Sequence, residues 1–116
     1  MKIIPLSDVP AAPVDMDGAA GVIKQLPIGS RDGSPSFSFR VFTLAPGGHT
    51  PFHSHEWEHI NYAISGEGVI VDPDGSRRPF AAGDFALVPP DETHQYRNAS
   101  DTDDFVMICA VPAAYE

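Results

Sequence analysis

Residues 47–66 read GGHTPFHSHEWEHINYAISG, and they hold four of the five histidines of a 116-residue chain. His53 and His55 are two apart, so on a strand both imidazoles leave the same face, and His59 keeps that parity if the chain stays extended. The fifth histidine, His94, lies in a second Pro-rich segment, GDFALVPPDETHQYRN, at residues 83–98. Imidazole is the commonest metal-binding side chain at neutral pH, and several converging from one sheet face make a pocket for a divalent transition metal. The stretch therefore reads as a metal site inside a β-barrel.

Working outward, the flanks are built of short strands. Upstream, residues 37–44 (FSFRVFTL) are rich in aromatic and β-branched types and run into a Pro46-Gly47-Gly48 turn; residues 21–28 form a short strand before the polar turn SRDGSPS. Downstream come residues 60–64, 69–71, 78–81, 85–88, 94–97 and 105–111, with Asp72-Pro73-Asp74-Gly75 marking a hairpin. Strands at such even spacing, with 12 Pro and 10 Gly between them, indicate a sandwich or barrel. Helical periodicity is absent, and no repeat of solenoid length is present.

At 116 residues one domain is expected, with residues 1–20 a Pro- and Ala-rich N-terminal arm, pairing as an edge strand around residues 1–6, and residues 21–116 the barrel. A net charge of -9, with only Arg77 and Arg78 adjacent among seven Lys and Arg, argues against nucleic acid and anionic membrane as partners. The lone Cys109 excludes an internal disulfide, and prolines interrupt any signal-like run near the N-terminus, so a soluble cytoplasmic protein is expected.

These residues resemble the cupin family of jelly rolls. The first cupin motif reads as Gly47, five residues, His53, one, His55, three, His59, six, Gly66, with His59 where the family usually has Glu. The second reads as Gly83, five residues, Pro89, one, Asp91, two, His94, three, Asn98, with Asp91 in place of a Gly. Within the family, residues 21–112 are similar to the small single-domain manganese-binding four-histidine cupins of a hyperthermophilic bacterium, including the HSHEWEH run and the Cys three residues before a Pro. The resemblance implies an all-β fold, a single-domain jelly-roll β-barrel (double-stranded β-helix), with His53, His55, His59 and His94 as ligands of one divalent transition metal per chain. Manganese is favoured by that resemblance, while iron, nickel, copper and zinc also suit imidazole.

Four neutral imidazoles leave the ion's charge uncompensated, and two positions of an octahedral ion stay open for water, dioxygen or a bidentate oxygen ligand. The expected function is a metal-dependent oxidoreductase, dioxygenase-like, acting on a small, fairly apolar organic substrate; a non-redox isomerase or decarboxylase and a binding module without turnover are the alternatives. No catalytic residue is assigned. His49 is read as a solvated turn residue, Glu56 and Glu58 as exposed acids, and Asp91 and Glu92 as solvated turn residues near the pocket mouth. Trp57, Phe42, Tyr96 and Phe105 are read as core or interface residues from which a pocket could borrow. Cys109 is either a small buried hydrophobe or a thiol lining the metal pocket. If His59, Asn61 and Ala63 face inward, then Ile60, Tyr62 and Ile64 point outward, and so apolar an outer face calls for a cover, with a homodimer expected.

Overall fold

The computed structural model describes residues 1–116. Nine strands form one strongly coiled sheet: β1 (Ala11–Pro13), β2 (Ala20–Ile28), β3 (Phe37–His49), β4 (His59–Ser65), β5 (Glu67–Val71), β6 (Arg77–Ala81), β7 (Phe85–Val88), β8 (Gln95–Asn98) and β9 (Phe105–Pro112). Helix is confined to three single 3-10 turns, as the missing helical periodicity requires. The strands run in the order β6-β5-β8-β3-β9-β4-β7, every neighbouring pair antiparallel, with β2 and then β1 added on β3. Consecutive strands β3 and β4 are separated in space by β9, and β5 and β8 pair although β6 and β7 intervene in sequence, which gives the all-β jelly-roll barrel expected from the strand pattern.

β9 shows how the interior is filled. Its sequence FVMICAVP is apolar throughout, yet burial alternates strictly, with Phe105, Met107, Cys109 and Val111 inside. Leu44, Ala63, Phe80, Val88 and Tyr96 complete the core around Phe105 and Met107. Gly68 of β5 lies against the Phe105 ring, where a Cβ would come within 2.6 Å of it, so a side chain there would displace the largest fully buried residue. Gly66, the last residue of the first histidine motif, turns β4 into β5 at φ +86, and a Cβ there would lie 2.3 Å from the Asp104 carbonyl oxygen.

Two sequence expectations are corrected. The arm does contribute an edge strand, but at Ala11–Pro13 rather than at residues 1–6, which run without strand pairing into the turn Leu6–Asp8. Pro13 is tolerated because β1 pairs only with β2 and leaves its other side free. β3 likewise does not stop at Pro46-Gly47-Gly48. A register shift against β2 absorbs those residues as a bulge, and the strand continues to His49, which pairs with both Ala20 and Arg97 and is half-buried.

Candidate metal centre

Two sequence-distant segments build the site, and the main chain fastens them together. His53 and His94 form an isolated antiparallel bridge: the His53 N–H donates to the His94 carbonyl at 3.1 Å and the His94 N–H to the His53 carbonyl at 2.9 Å. The Asp91 N–H donates to the His55 carbonyl at 2.7 Å, so the second loop is tied down at a neighbouring ligand as well. Asp91 has φ 65, the left-handed region, which explains why glycine usually occupies this motif position; a short polar side chain is among the few others that tolerate it.

The ring nitrogens of His53, His55 and His94 lie within 4.8 Å of one another. His59, on β4, joins them through His94, with the two Nε2 atoms 3.2 Å apart. Three of the four rings are held from behind. His55 Nδ1 donates to the Trp57 carbonyl at 2.8 Å, His94 Nδ1 to the Glu92 carbonyl at 2.8 Å, and His59 Nδ1 to Asn61 Oδ1 at 2.9 Å. A carbonyl oxygen can only accept, so each of these imidazoles carries its proton on Nδ1 and turns an Nε2 lone pair into the cavity. Lone pairs facing each other at 3.2 Å repel unless a cation lies between them. The donor set therefore fits a divalent transition metal, with the outer-face hydrogen bonds that orient ligating imidazoles already in place.

Asn61 is a residue that motif spacing does not assign a role. It is 1% exposed, it points inward on β4 as expected, and its Oδ1 also accepts from Tyr96 Oη at 2.5 Å. Its Nδ2 reaches the Ile108 carbonyl at 3.5 Å. Asn61 thus fixes the ring of His59 and is itself fixed. The one available signal was a polar residue sharing the inward parity of His59 on an otherwise apolar strand.

Burial disfavours the charged form of His53, His59 and His94. Burial lowers the pKa of His59 to about 3, opposed by its bond to Asn61 and reinforced by His94, His55 and Arg40; burial also lowers His94 and His53. Burial raises Tyr96 and Cys109, so both stay protonated.

All four histidines open into one cavity of about 350 Å³. Trp57, Phe42 and Tyr96, anticipated as core or interface, form part of its wall, whereas Phe105 stays in the core. Trp57 is stacked between His55, at 4.2 Å between ring centroids, and Tyr115, at 4.3 Å. Cys109 satisfies both of its sequence readings: it is 1% exposed and it lines this cavity. His49 is absent from the wall, Glu56 and Glu58 point to solvent as expected, and so do Asp91 and Glu92. A larger cleft of about 450 Å³, on the side where β6 and β7 do not pair, meets only His94 among the histidines.

Comparison with known proteins places these features in a family. Residues 40–111 match the Cupin domain. The polyketide cyclase RemF from Streptomyces resistomycificus superposes with a TM-score of 0.91 at 30% identity, over 97% of this chain and 80% of that one. A predicted oxalate decarboxylase from Thermotoga maritima gives a TM-score of 0.83 at 24% identity, over 97% and 99% of the two chains, a likeness of fold. Among curated proteins, gentisate 1,2 dioxygenase 1 of Aquipseudomonas alcaligenes is 33% identical over 58 residues, half of this chain but only 17% of that enzyme's length.

Proposed function

Because the chain belongs to the cupin family, we propose that it is a metal-dependent enzyme whose cavity folds and cyclises an enolisable polycarbonyl substrate of the polyketide type. The observation that carries this reading is four neutral imidazoles converging in an apolar cavity without any Asp or Glu in its wall. A divalent cation held by His53, His55, His59 and His94 would retain its full charge and act as a Lewis acid on substrate carbonyl oxygens. The chain's own residues then hold and shape. Trp57 and Phe42 offer flat apolar surface on which a conjugated polycarbonyl chain can lie, the bridge between His53 and His94 keeps the ligand loops from parting, and Tyr96 and Cys109 are proton donors. The extensive similarity to the polyketide cyclase supports this substrate class. Manganese, favoured by the sequence resemblance, and zinc, favoured by the affinity order of imidazole sites, are the ions to load first.

A second reading, a dioxygenase-like oxidoreductase on a small aromatic or enol, draws support from the local match to the gentisate dioxygenase. Oxygen separates the two. Protein loaded with zinc or manganese should convert a linear poly-β-ketone to a cyclic product under nitrogen; turnover only in air, with oxygen consumed, would replace the cyclase reading by the dioxygenase. Metal content should fall in His59→Ala and stay unchanged in Glu58→Gln, since Glu58 is exposed.

We also propose that a second copy of the chain covers the outer face of β4 and β7. Ile60 and Ile64 are exposed there beside Phe85, 76% exposed, and Leu87, 64% exposed, and paired strands of one flat face suit a two-fold contact.

A further inference from the structure

Arg40 has no part in the chemistry above, yet it lines the same cavity as the histidines. Register sets it directly across from Cys109, on the inward side of β3, and its Nη2 donates to Cys109 Sγ at 2.9 Å. The guanidinium carbon lies 5.1 Å from the centroid of the Phe42 ring. No carboxylate compensates it: the ion pairs of the molecule are Lys2 with Asp32 and Arg78 with Asp72. Its Nε is closed off from solvent and has no hydrogen-bond partner.

Such an arrangement is costly. An unpaired guanidinium that is half-buried gives up part of its hydration. The Phe42 ring returns only part of that loss, and a thiol is a weak acceptor. The surroundings sharpen the point. The chain carries 16 Asp and Glu and a net charge of -9, but none of those acids lines this cavity, nor an adjoining cleft that shares Arg40 and adds Lys24. Lys24 has only a main-chain partner, the Glu116 oxygen at 3.2 Å. Arg40, without an ion pair, is thus turned toward an apolar space in a strongly acidic protein.

We propose that Arg40 anchors an organic carboxylate carried by the substrate, at the end remote from the carbonyl groups that meet the histidines. This deepens the polycarbonyl reading and rests on it for the other end of the substrate. The planar guanidinium matches the two oxygens of a carboxylate, and only Nη2 of its three nitrogens donates within the protein, which leaves N–H groups of the fork uncommitted. No helix N-terminus or glycine-rich nest borders the cavity to hold the extra oxygens of a phosphate.

The test compares cyclohexanecarboxylate with cyclohexanecarboxamide, a neutral probe of nearly the same shape. Trp57 is the single tryptophan and lines the cavity, so its fluorescence reports occupancy. Titrations use metal-free protein at pH 8, where the imidazoles are neutral and no ion competes for the anion. The carboxylate should bind at least tenfold more tightly than the amide. Arg40→Gln should abolish that preference, read as the ratio of the two affinities, and Arg40→Lys, which keeps the charge but not the fork, should retain part of it. The wild-type protein showing no preference overturns the proposal, as does an Arg40→Gln variant that keeps the preference. If Arg40→Gln no longer binds the amide, Arg40→Lys decides: an undiminished preference overturns the fork-specific anchor, and a reduced one supports it. Inorganic phosphate or methanesulfonate displacing the carboxylate at equal concentration also overturns it. Because no turnover is read, failure here leaves the nitrogen assay standing, and failure of that assay leaves the anion preference standing.

Discussion

On β4, His59, Asn61 and Ala63 point into the barrel, while Ile60, Tyr62 and Ile64 point away from it. That is the reverse of the usual strand, polar outside and apolar within. The neighbouring β9 shows where the inversion stops: Phe105 lies in the apolar core alone, Met107, opposite Ala63, belongs to the core and also borders the cavity, and Cys109, opposite Asn61, lines the cavity. Core and site are successive layers of the same strands. On β4 the inner polar layer is tolerable because its two polar side chains are bonded: the His59 Nδ1–H and the Tyr96 hydroxyl both donate to Asn61 Oδ1. The outer apolar layer has no such internal solution, and only another surface can remove it from water. The comparison teaches that polarity inside a barrel is stabilised by preorganised bonds, while an apolar outer face finds no such bonds within its own strand.

The strongest way to break the inner face is acid, tested on metal-free protein. His59 has a folded pKa of about 3, held down first by burial, against about 6.5 when unfolded. Between these values the unfolded chain binds a proton that the folded chain refuses, so stability falls as pH drops from 6.5 toward 3 and levels off below. The share of His59 amounts to on the order of 4–5 kcal/mol at the lower limit. His94 and His53, also lowered by burial, add in the same direction. Denaturant midpoints measured from pH 8 to pH 3.5 should decline steeply in the wild type and less steeply in His59→Gln. Equal slopes would mean that His59 takes up its proton without cost and that the buried layer is more open than its hydrogen bonds suggest.

The outer face is broken by charge. Tyr62 and Phe85 pack with ring centroids 4.6 Å apart, and Leu87 lies beside Ile60 in the pairing of β4 with β7. In a two-fold contact an Asp at position 62 or 87 would face its own copy across a desolvated patch, a loss of roughly 2 kcal/mol or more per dimer. Light scattering at micromolar concentration should give a dimer for the wild type and a monomer for Tyr62→Asp. A monomeric wild type removes the dimer, and a dimer that survives both substitutions moves the contact elsewhere, with Phe37 and Phe39 on β3 the next exposed aromatics.

Much of this layout could be read from residue spacing. Parity put His59 and Asn61 on one side and Ile60, Tyr62 and Ile64 on the other, because the side-chain period of a strand has no free parameter. His53 and His55, by contrast, lie outside the strands, before bends at Glu56 and Trp57, and reach His59 through the loop rather than through strand parity. What could not be read depended on long-range pairing. The Pro46-Gly47-Gly48 run carries every local mark of a turn, yet the bulge against β2 carries the chain on to His49. Nothing local in GVIKQLPI or FSFRVFTL says that Arg40 faces Cys109 across 69 residues of sequence. β9 is apolar on both faces, so its sequence could not decide whether Cys109 or Ile108 points inward. In the arm, the prolines masked a strand at Ala11–Pro13 because an outermost strand can do without the missing donor.

The smallest effect tests how tightly the inner layer is held from its rim. Asp91 is the lone non-glycine residue with positive φ, and its N–H is committed to the His55 carbonyl at 2.7 Å. Two opposing terms act on Asp91→Gly: relief of left-handed strain favours the folded state by about 1 kcal/mol, and the added freedom of the unfolded chain disfavours it by a similar amount. Thermal unfolding should therefore move by no more than a few degrees, in either direction. Asp91→Val keeps the entropy term small and raises the strain, since a β-branched residue tolerates this region poorly, so it should destabilise by about 1–2 kcal/mol. The distinguishing measurement is metal affinity. If the loop positions His55 through that one bond, Asp91→Val weakens metal binding in step with stability, whereas Asp91→Gly leaves both near wild type. Metal affinity unchanged in Asp91→Val would show that the Trp57 carbonyl and the His53–His94 bridge hold the ligands by themselves, and that the inner layer is preorganised from within the barrel rather than from its rim.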